Sequence, residues 1–174
     1  MKLPLAYYGN PVLRKKASRV EGIDDELRQL VADMIESMDE YNGCGLAAPQ
    51  VHRSISLFVT RIPHRDENDQ IVSGEARVYI NPKVLSYSEE VWALDEGCLS
   101  IPGLRDAVVR PMAITVEATN LEGKTFTEEL VEFDARVILH ENDHLNGVLY
   151  IDRLPPKQKK AIENHLREIK KKYS

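Results

Sequence analysis

Cysteine is scarce in this chain: Cys44 and Cys98 are its only two thiols in 174 residues. Two cysteines cannot build a disulfide framework, so both are expected to stay reduced in a cytoplasmic protein. Long apolar runs are missing as well. No segment approaches the roughly 18 residues needed to cross a bilayer, so no membrane partner is expected. The opening residues MKLPLAYYGNP lack the basic start and apolar stretch of a secretory signal. The glycine-bearing loop Gly43–Gln50 holds neither a G-x-G-x-x-G nor a G-K-[ST] pattern, so it is not a phosphate-cradling loop. There is no internal repeat and no low-complexity segment.

The length suits one domain spanning 1–174 with a core of its own. Net charge is −5 but unevenly spread. Residues 155–174 hold six Lys and one Arg against two Glu, a local +5, which leaves −10 on the remaining 154 residues. An acidic body argues against nucleic-acid sequence recognition, while the basic tail can meet an anionic surface.

Asp24 or Asp25 caps a first helix. Ile23, Leu27, Leu30, Val31, Met34, Ile35, Met38 and Tyr41 recur every three or four residues as one apolar stripe, and Asn42 and Gly43 stop it. Gly43–Gln50 (GCGLAAPQ) reads as a tight loop that other backbone can approach closely. Strands are expected at 55–62, 77–81, 84–87, 91–94, 107–109, 114–119 and 125–133, with Pro82 ending the second and 63–75 forming an exposed loop. A short strand at 148–151 precedes a final helix opened by Pro155-Pro156, with Ala161, Ile162, His165, Leu166, Ile169 and Tyr173 on its inner face. Fold class is therefore α+β: antiparallel sheets packed around a buried helix, with an N-terminal amphipathic helix and a C-terminal one.

That buried helix is the stretch Asp134–Gly147, DARVILHENDHLNG. Residues four apart on a helix lie about 40° apart around its axis, so His140 and His144 can reach one metal ion. Glu141 then points toward the open coordination position, as in other H-E-x-x-H sites. A core helix with two satisfied histidines is the plainer alternative. A catalytic metal needs a third protein ligand. The extended H-E-x-x-H-x-x-G-x-x-H form has its Gly in Gly147 but Tyr150 in place of its last His. Glu163 lies on the basic final helix, which makes it the weaker candidate; Cys98 is the remaining soft ligand.

Three motifs in order, G-x-G-L-A-A-P-Q at Gly43–Gln50, E-G-C-L-S at Glu96–Ser100 and H-E-x-D-H at His140–His144, resemble the bacterial-type peptide deformylases. The early NPVLRKKA and the HLNG after the helix fit too. The resemblance implies that Cys98, His140 and His144 bind one divalent ion, typically Fe²⁺, with Zn²⁺, Ni²⁺ or Co²⁺ as alternatives. It implies removal of the formyl group from formyl-methionyl nascent peptides, releasing formate, by hydroxide raised on the metal. Glu141 would act as general base and acid, and the Gln50 amide and Leu99 backbone N–H would stabilise the formyl oxygen. Substrate backbone would run near Cys44, Gly45 and Gly97. Cys44 and Val137 would line the methionine pocket, and Arg105 would meet the peptide beyond it. Glu96 and Arg110 are expected to form a buried ion pair behind the Cys98 loop. The basic C-terminal helix resembles the family's ribosome-contacting tail, and a monomer is expected.

Two positions depart from the pattern. Leu139 stands where many members carry Gln, and Cys44 takes a position more often aliphatic, adding a thiol open to oxidation. Replacing Cys98 separates the deformylase reading from a zinc endopeptidase built on the same helix. The Cys98→Ser protein should lose its metal in elemental analysis, whereas a protease using Glu163 would retain it.

Overall fold

The computed structural model describes residues 1–174. The Asp24 carboxylate accepts the Leu27 N–H at 2.8 Å and starts helix α1, Asp25–Glu40. Leu27, Leu30, Val31, Met34 and Met38 turn inward against Leu46, Leu57, Val59 and Ile80. Asn42 then takes a left-handed φ of +59° and releases the chain.

Nine strands follow in order: β1 (Gly45–Ala47), β2 (Leu57–Arg61), β3 (His64–Arg65), β4 (Ile71–Val72), β5 (Ala76–Tyr87), β6 (Val91–Cys98), β7 (Ile101–Pro111), β8 (Ala113–Thr119) and β9 (Thr125–Val131). Helices α2 (Glu132–Leu145) and α3 (Pro156–Tyr173) complete an α+β fold of three α-helices and antiparallel sheets. The main sheet runs β1-β2-β5-β8-β9, while β3-β4 and β6-β7 form separate two-stranded sheets. Ala135, Ile138, Leu139 and Leu145 of α2 pack on Phe58, Tyr79, Ile114 and Val116 of the main sheet. A third cluster, including Ile101, Val108, Tyr150, Ile162 and Ile169, joins α3 to β7.

Several elements differ from the sequence expectation, each for a local reason. Gly43–Gln50 is not only a loop. Gly45–Ala47 pairs with Phe58–Thr60 as the edge of the main sheet, and a 3-10 turn follows at Ala48–Val51. The expected loop at 63–75 contains the β3-β4 hairpin arms, closed where the Asp66 carboxylate accepts the N–H groups of Asn68 and Gln70. Pro82 does not end its strand. The β5 register shifts between Ile80 and Lys83, Asn81 adopts φ +51°, and its side-chain amide bonds both the N–H and C=O of Val20 at 2.9 Å. That bulge absorbs the missing proline donor. The expected strand at 148–151 is replaced by a 3-10 turn, Tyr150–Arg153, closed by Asp152 accepting the Leu149 N–H at 3.0 Å. On α3, Ile162 and Ile169 are buried, but Ala161 is exposed, and Tyr173 stacks on Tyr7 with ring centroids 3.8 Å apart.

Gly147 ends α2 at φ +72°, and a Cβ there would stand 2.6 Å from the Arg14 carbonyl oxygen. Both the left-handed backbone and the close approach require glycine. Gly147→Ala should therefore cost more than about 1 kcal/mol in urea unfolding of the metal-free protein, and an unchanged midpoint would contradict this account.

Candidate functional site

One face of α2, the β6-β7 turn and the β1 edge converge on a cavity of about 640 Å³. Glu141 reaches this cavity because residue 45 has no side chain: a Cβ on Gly45 would lie 2.5 Å from the Glu141 carboxylate. The 3-10 turn after β1 buries Gln50 and fixes its amide. Gln50 Oε1 accepts the Ala47 N–H at 3.0 Å, and Nε2 donates to Ser100 Oγ at 3.1 Å and to Cys98 Sγ at 3.5 Å.

Cys98, His140 and His144 each turn one donor atom to a common point, all within 4.8 Å of one another. Cys98 Sγ and His144 Nε2 stand 3.4 Å apart. Tetrahedral ligands at usual bond lengths to a divalent first-row ion lie about 3.3–3.8 Å apart, so these residues fit such an ion. Glu163 is exposed on α3 and outside this group. Tyr150, at the position of the extended motif's last His, instead lays its ring near that of His140, with centroids 6.1 Å apart and 26° between planes.

The imidazoles are held differently. His140 Nδ1 bonds Glu96 Oε1 at 2.9 Å, leaving Nε2 for the cluster. Burial disfavours a charged His140, yet hydrogen bonds to Cys98 and Glu96 outweigh it and raise its proton affinity well above the ordinary value. Burial, with the neighbouring His140, pushes His144 well below its ordinary value and keeps it neutral, the form in which imidazole ligates. Burial pushes the Glu141 carboxyl up to about 7, with Glu96 and Asp143 adding to the rise against His140 and Arg110. Its Oε1 is buried without a hydrogen-bond partner.

Behind the cluster lies a network of buried charges. Arg110 donates to Glu96 through Nε at 2.6 Å and Nη2 at 3.0 Å, forming the ion pair expected from sequence. Burial alone would raise the Glu96 carboxyl, but hydrogen bonds from His140 and Arg110 hold it down at about 2. Three further members were assigned no role from the sequence. Arg136 donates to Glu96 Oε2 at 2.6 Å, Asp143 accepts from Arg110 at 2.9 Å, and Arg153 donates to Asp143 at 2.6 and 2.8 Å. The available signal was a single Arg inside the apolar run Ala135–Leu139. Asp143 and Ser100 stood in the H-E-x-D-H and E-G-C-L-S motifs, but nothing in those motifs named their partners.

The expected substrate-binding residues Cys44, Gly45, Gly97, Arg105 and Val137 line the same cavity, as does Leu99. Arg105 donates to the Asp95 carbonyl at 3.2 Å across the cavity rim. The Cys44 thiol is pushed up to about 11 by burial and by the nearby Glu141, so it is protonated near neutral pH. That makes it a poor nucleophile and runs against the expected sensitivity to oxidation.

Comparison with known proteins agrees with this geometry. The profile of the polypeptide deformylase family matches residues 2–160. A peptide deformylase of Borreliella burgdorferi is 42% identical over 167 residues, covering 95% of this chain and 96% of the relative. The crystal structure of Arabidopsis thaliana peptide deformylase 1B with an inhibitor superposes with a TM-score of 0.88 at 36% identity, covering 98% of this chain and 92% of the other. A class I type b peptide deformylase from Acinetobacter baumannii, solved with Met-Ala-Ser bound, gives 0.82 at 34% identity, covering 88% and 99% respectively. On a match that spans most of its length, together with the converging motif residues, the chain belongs to the polypeptide deformylase family, whose members remove the N-formyl group from nascent peptides.

Proposed function

We propose that this chain removes the formyl group from formyl-methionyl nascent peptides through Cys98, His140 and His144 as metal ligands and Glu141 as the proton carrier. The observation that carries the reading is the convergence of those three donors next to a cavity lined by Cys98, His140 and Glu141, with one Glu141 oxygen buried and unpartnered. In this reading α2 is the central H-E-x-x-H helix, α1 is the amphipathic support behind β1, and residues 1–174 work as one domain. A bound divalent ion, Fe²⁺ before Zn²⁺, Ni²⁺ or Co²⁺, would supply a water of lowered pKa and a Lewis-acid contact for the formyl oxygen.

The side chains account for the remaining steps. Glu141 Oε1 accepts the proton of the attacking water and delivers it to the departing amine nitrogen, for which a carboxyl near neutral pKa is suited. Negative charge gathers on the formyl oxygen during attack. Gln50 Nε2 and the Leu99 backbone N–H stabilise it, and the bonds from Ala47 and to Ser100 keep the Gln50 amide from turning away. The substrate enters as an added strand. β1 pairs only with β2, so its other edge can receive peptide backbone past Cys44 and Gly45, with Gly97 opposite. The Met-Ala-Ser bound to the Acinetobacter baumannii enzyme supports a peptide of this kind in the groove. Cys44 and Val137 border the methionine pocket, and Arg105 meets the chain beyond it. The protein acts as a cytoplasmic monomer, with the lysines of α3 turned to the ribosome.

Two substitutions test this scheme in a formate-release assay on a formyl-Met-Ala-Ser peptide. Glu141→Ala should leave a folded, metal-loaded protein with essentially no turnover; full activity would remove Glu141 from the chemistry. Gln50→Ala should lower kcat by about 10²–10³ while metal content holds, and a change confined to KM would reassign Gln50 to binding.

A further inference from the structure

Arg136 sits one helical turn before His140 on α2, and its guanidinium is almost wholly buried. Nη1 donates to Glu96 Oε2 at 2.6 Å and to the Val108 carbonyl at 2.9 Å, while Nη2 donates to the Trp92 carbonyl at 2.9 Å. The group also lies 4.9 Å from the Trp92 ring centroid. Two strands of the β6-β7 hairpin therefore fix this cation before it meets the carboxylate.

The two Glu96 oxygens have two partners each, but of different kinds. Oε2 takes Arg110 Nε and Arg136 Nη1, both at 2.6 Å, whereas Oε1 takes Arg110 Nη2 and His140 Nδ1. Arg110 grips both oxygens from one side. The guanidinium of Arg136, bonded to Oε2, holds the carboxylate at a second point and keeps the other oxygen facing the imidazole. Its planar fork matters, because a lysine could not serve the carboxylate and the carbonyls of both strands in one fixed geometry.

We propose that Arg136 is a positioning residue for the metal cluster: it fixes the Glu96 carboxylate, which orients His140 toward the shared ion. This rests on the metal-binding reading of Cys98, His140 and His144. A staple that merely ties α2 to the hairpin would predict lost stability without a specific effect on metal affinity. Groups that hold a metal-bound histidine from behind are commonly worth about 10–100-fold in affinity.

The test is titration of the metal-free protein with Co²⁺, read by its visible and thiolate charge-transfer absorption, alongside urea unfolding. Arg136→Met should weaken Co²⁺ binding about 10–100-fold, and Arg136→Lys should recover part of that loss. Val108→Ala, which opens the same hairpin core without touching Glu96, should be destabilised yet keep its affinity within about twofold. In a Glu96→Gln background, Arg136→Met should add less than about twofold, because the route through the carboxylate is already broken. Wild-type affinity in Arg136→Met, an equal loss in Val108→Ala, or an undiminished loss in the Glu96→Gln background would each overturn the proposal. Should Arg136→Met not fold, Arg136→Lys carries the same comparisons. A wild-type protein that takes up no Co²⁺ with a thiolate band overturns the metal reading itself, an outcome recognisable because it needs no variant.

Discussion

A single carboxylate anchors the functional half of this molecule. Glu96 is 5% exposed and shares its two oxygens among Arg110, Arg136 and His140. Burying so much charge is costly, and the arrangement is stable only as a set. Losing the carboxylate would leave two enclosed guanidiniums facing each other. The network is therefore weak evidence for overall stability but strong evidence for a fixed geometry. It connects β6, β7 and α2 at the point where Cys98 and His140 must meet. Asp143, between the two histidines of the motif, extends the chain of charges to Arg153.

The opposite wall of the cavity has a different character. β1 is three residues long, and its outer edge has no partner strand. Small residues bring its backbone close to the Glu141 carboxylate: a Cβ added at Gly45 would lie 2.5 Å from it. A charged, cross-braced wall thus faces one made of peptide groups. Under the proposed function the first suits metal ligands that must not move, and the second a guest that varies from one substrate to the next.

Much of the site could be read from the order of residues, and the reasons it could not all be read are physical. His140, Glu141 and His144 declared themselves by helical spacing. Cys98 became legible only through the E-G-C-L-S context, because one cysteine has no period. The Glu96–Arg110 pair was accessible as two opposite charges near a buried loop. Arg136 was not, since an arginine amid Ala135, Val137, Ile138 and Leu139 gives no hint of three acceptors waiting on another hairpin. Among the strands, the expected segments 55–62 and 114–119 located β2 and nearly all of β8, but the reading failed at Pro82. There a bulge and the Asn81 side chain supply what the proline lacks. The 3-10 turn at Tyr150–Arg153 depends on one aspartate closing back on Leu149, a local bond invisible to hydropathy.

The first residues of the chain lie across the finished site. The Ala6 N–H reaches the Gln50 carbonyl at 2.7 Å, the Tyr8 N–H reaches the Ser100 carbonyl at 2.9 Å, and Tyr7 between them stacks on Tyr173. This strap spans the two segments that carry Gln50 and Cys98, yet its aromatic clasp comes from the last turn of α3. Contacts so far apart in sequence form slowly, because a large loop must close before they yield any gain. During synthesis the strap can bond Gln50 and Ser100 once both have emerged, but its aromatic clasp must wait for Tyr173, so an unfinished copy would hold the site's floor by backbone bonds alone.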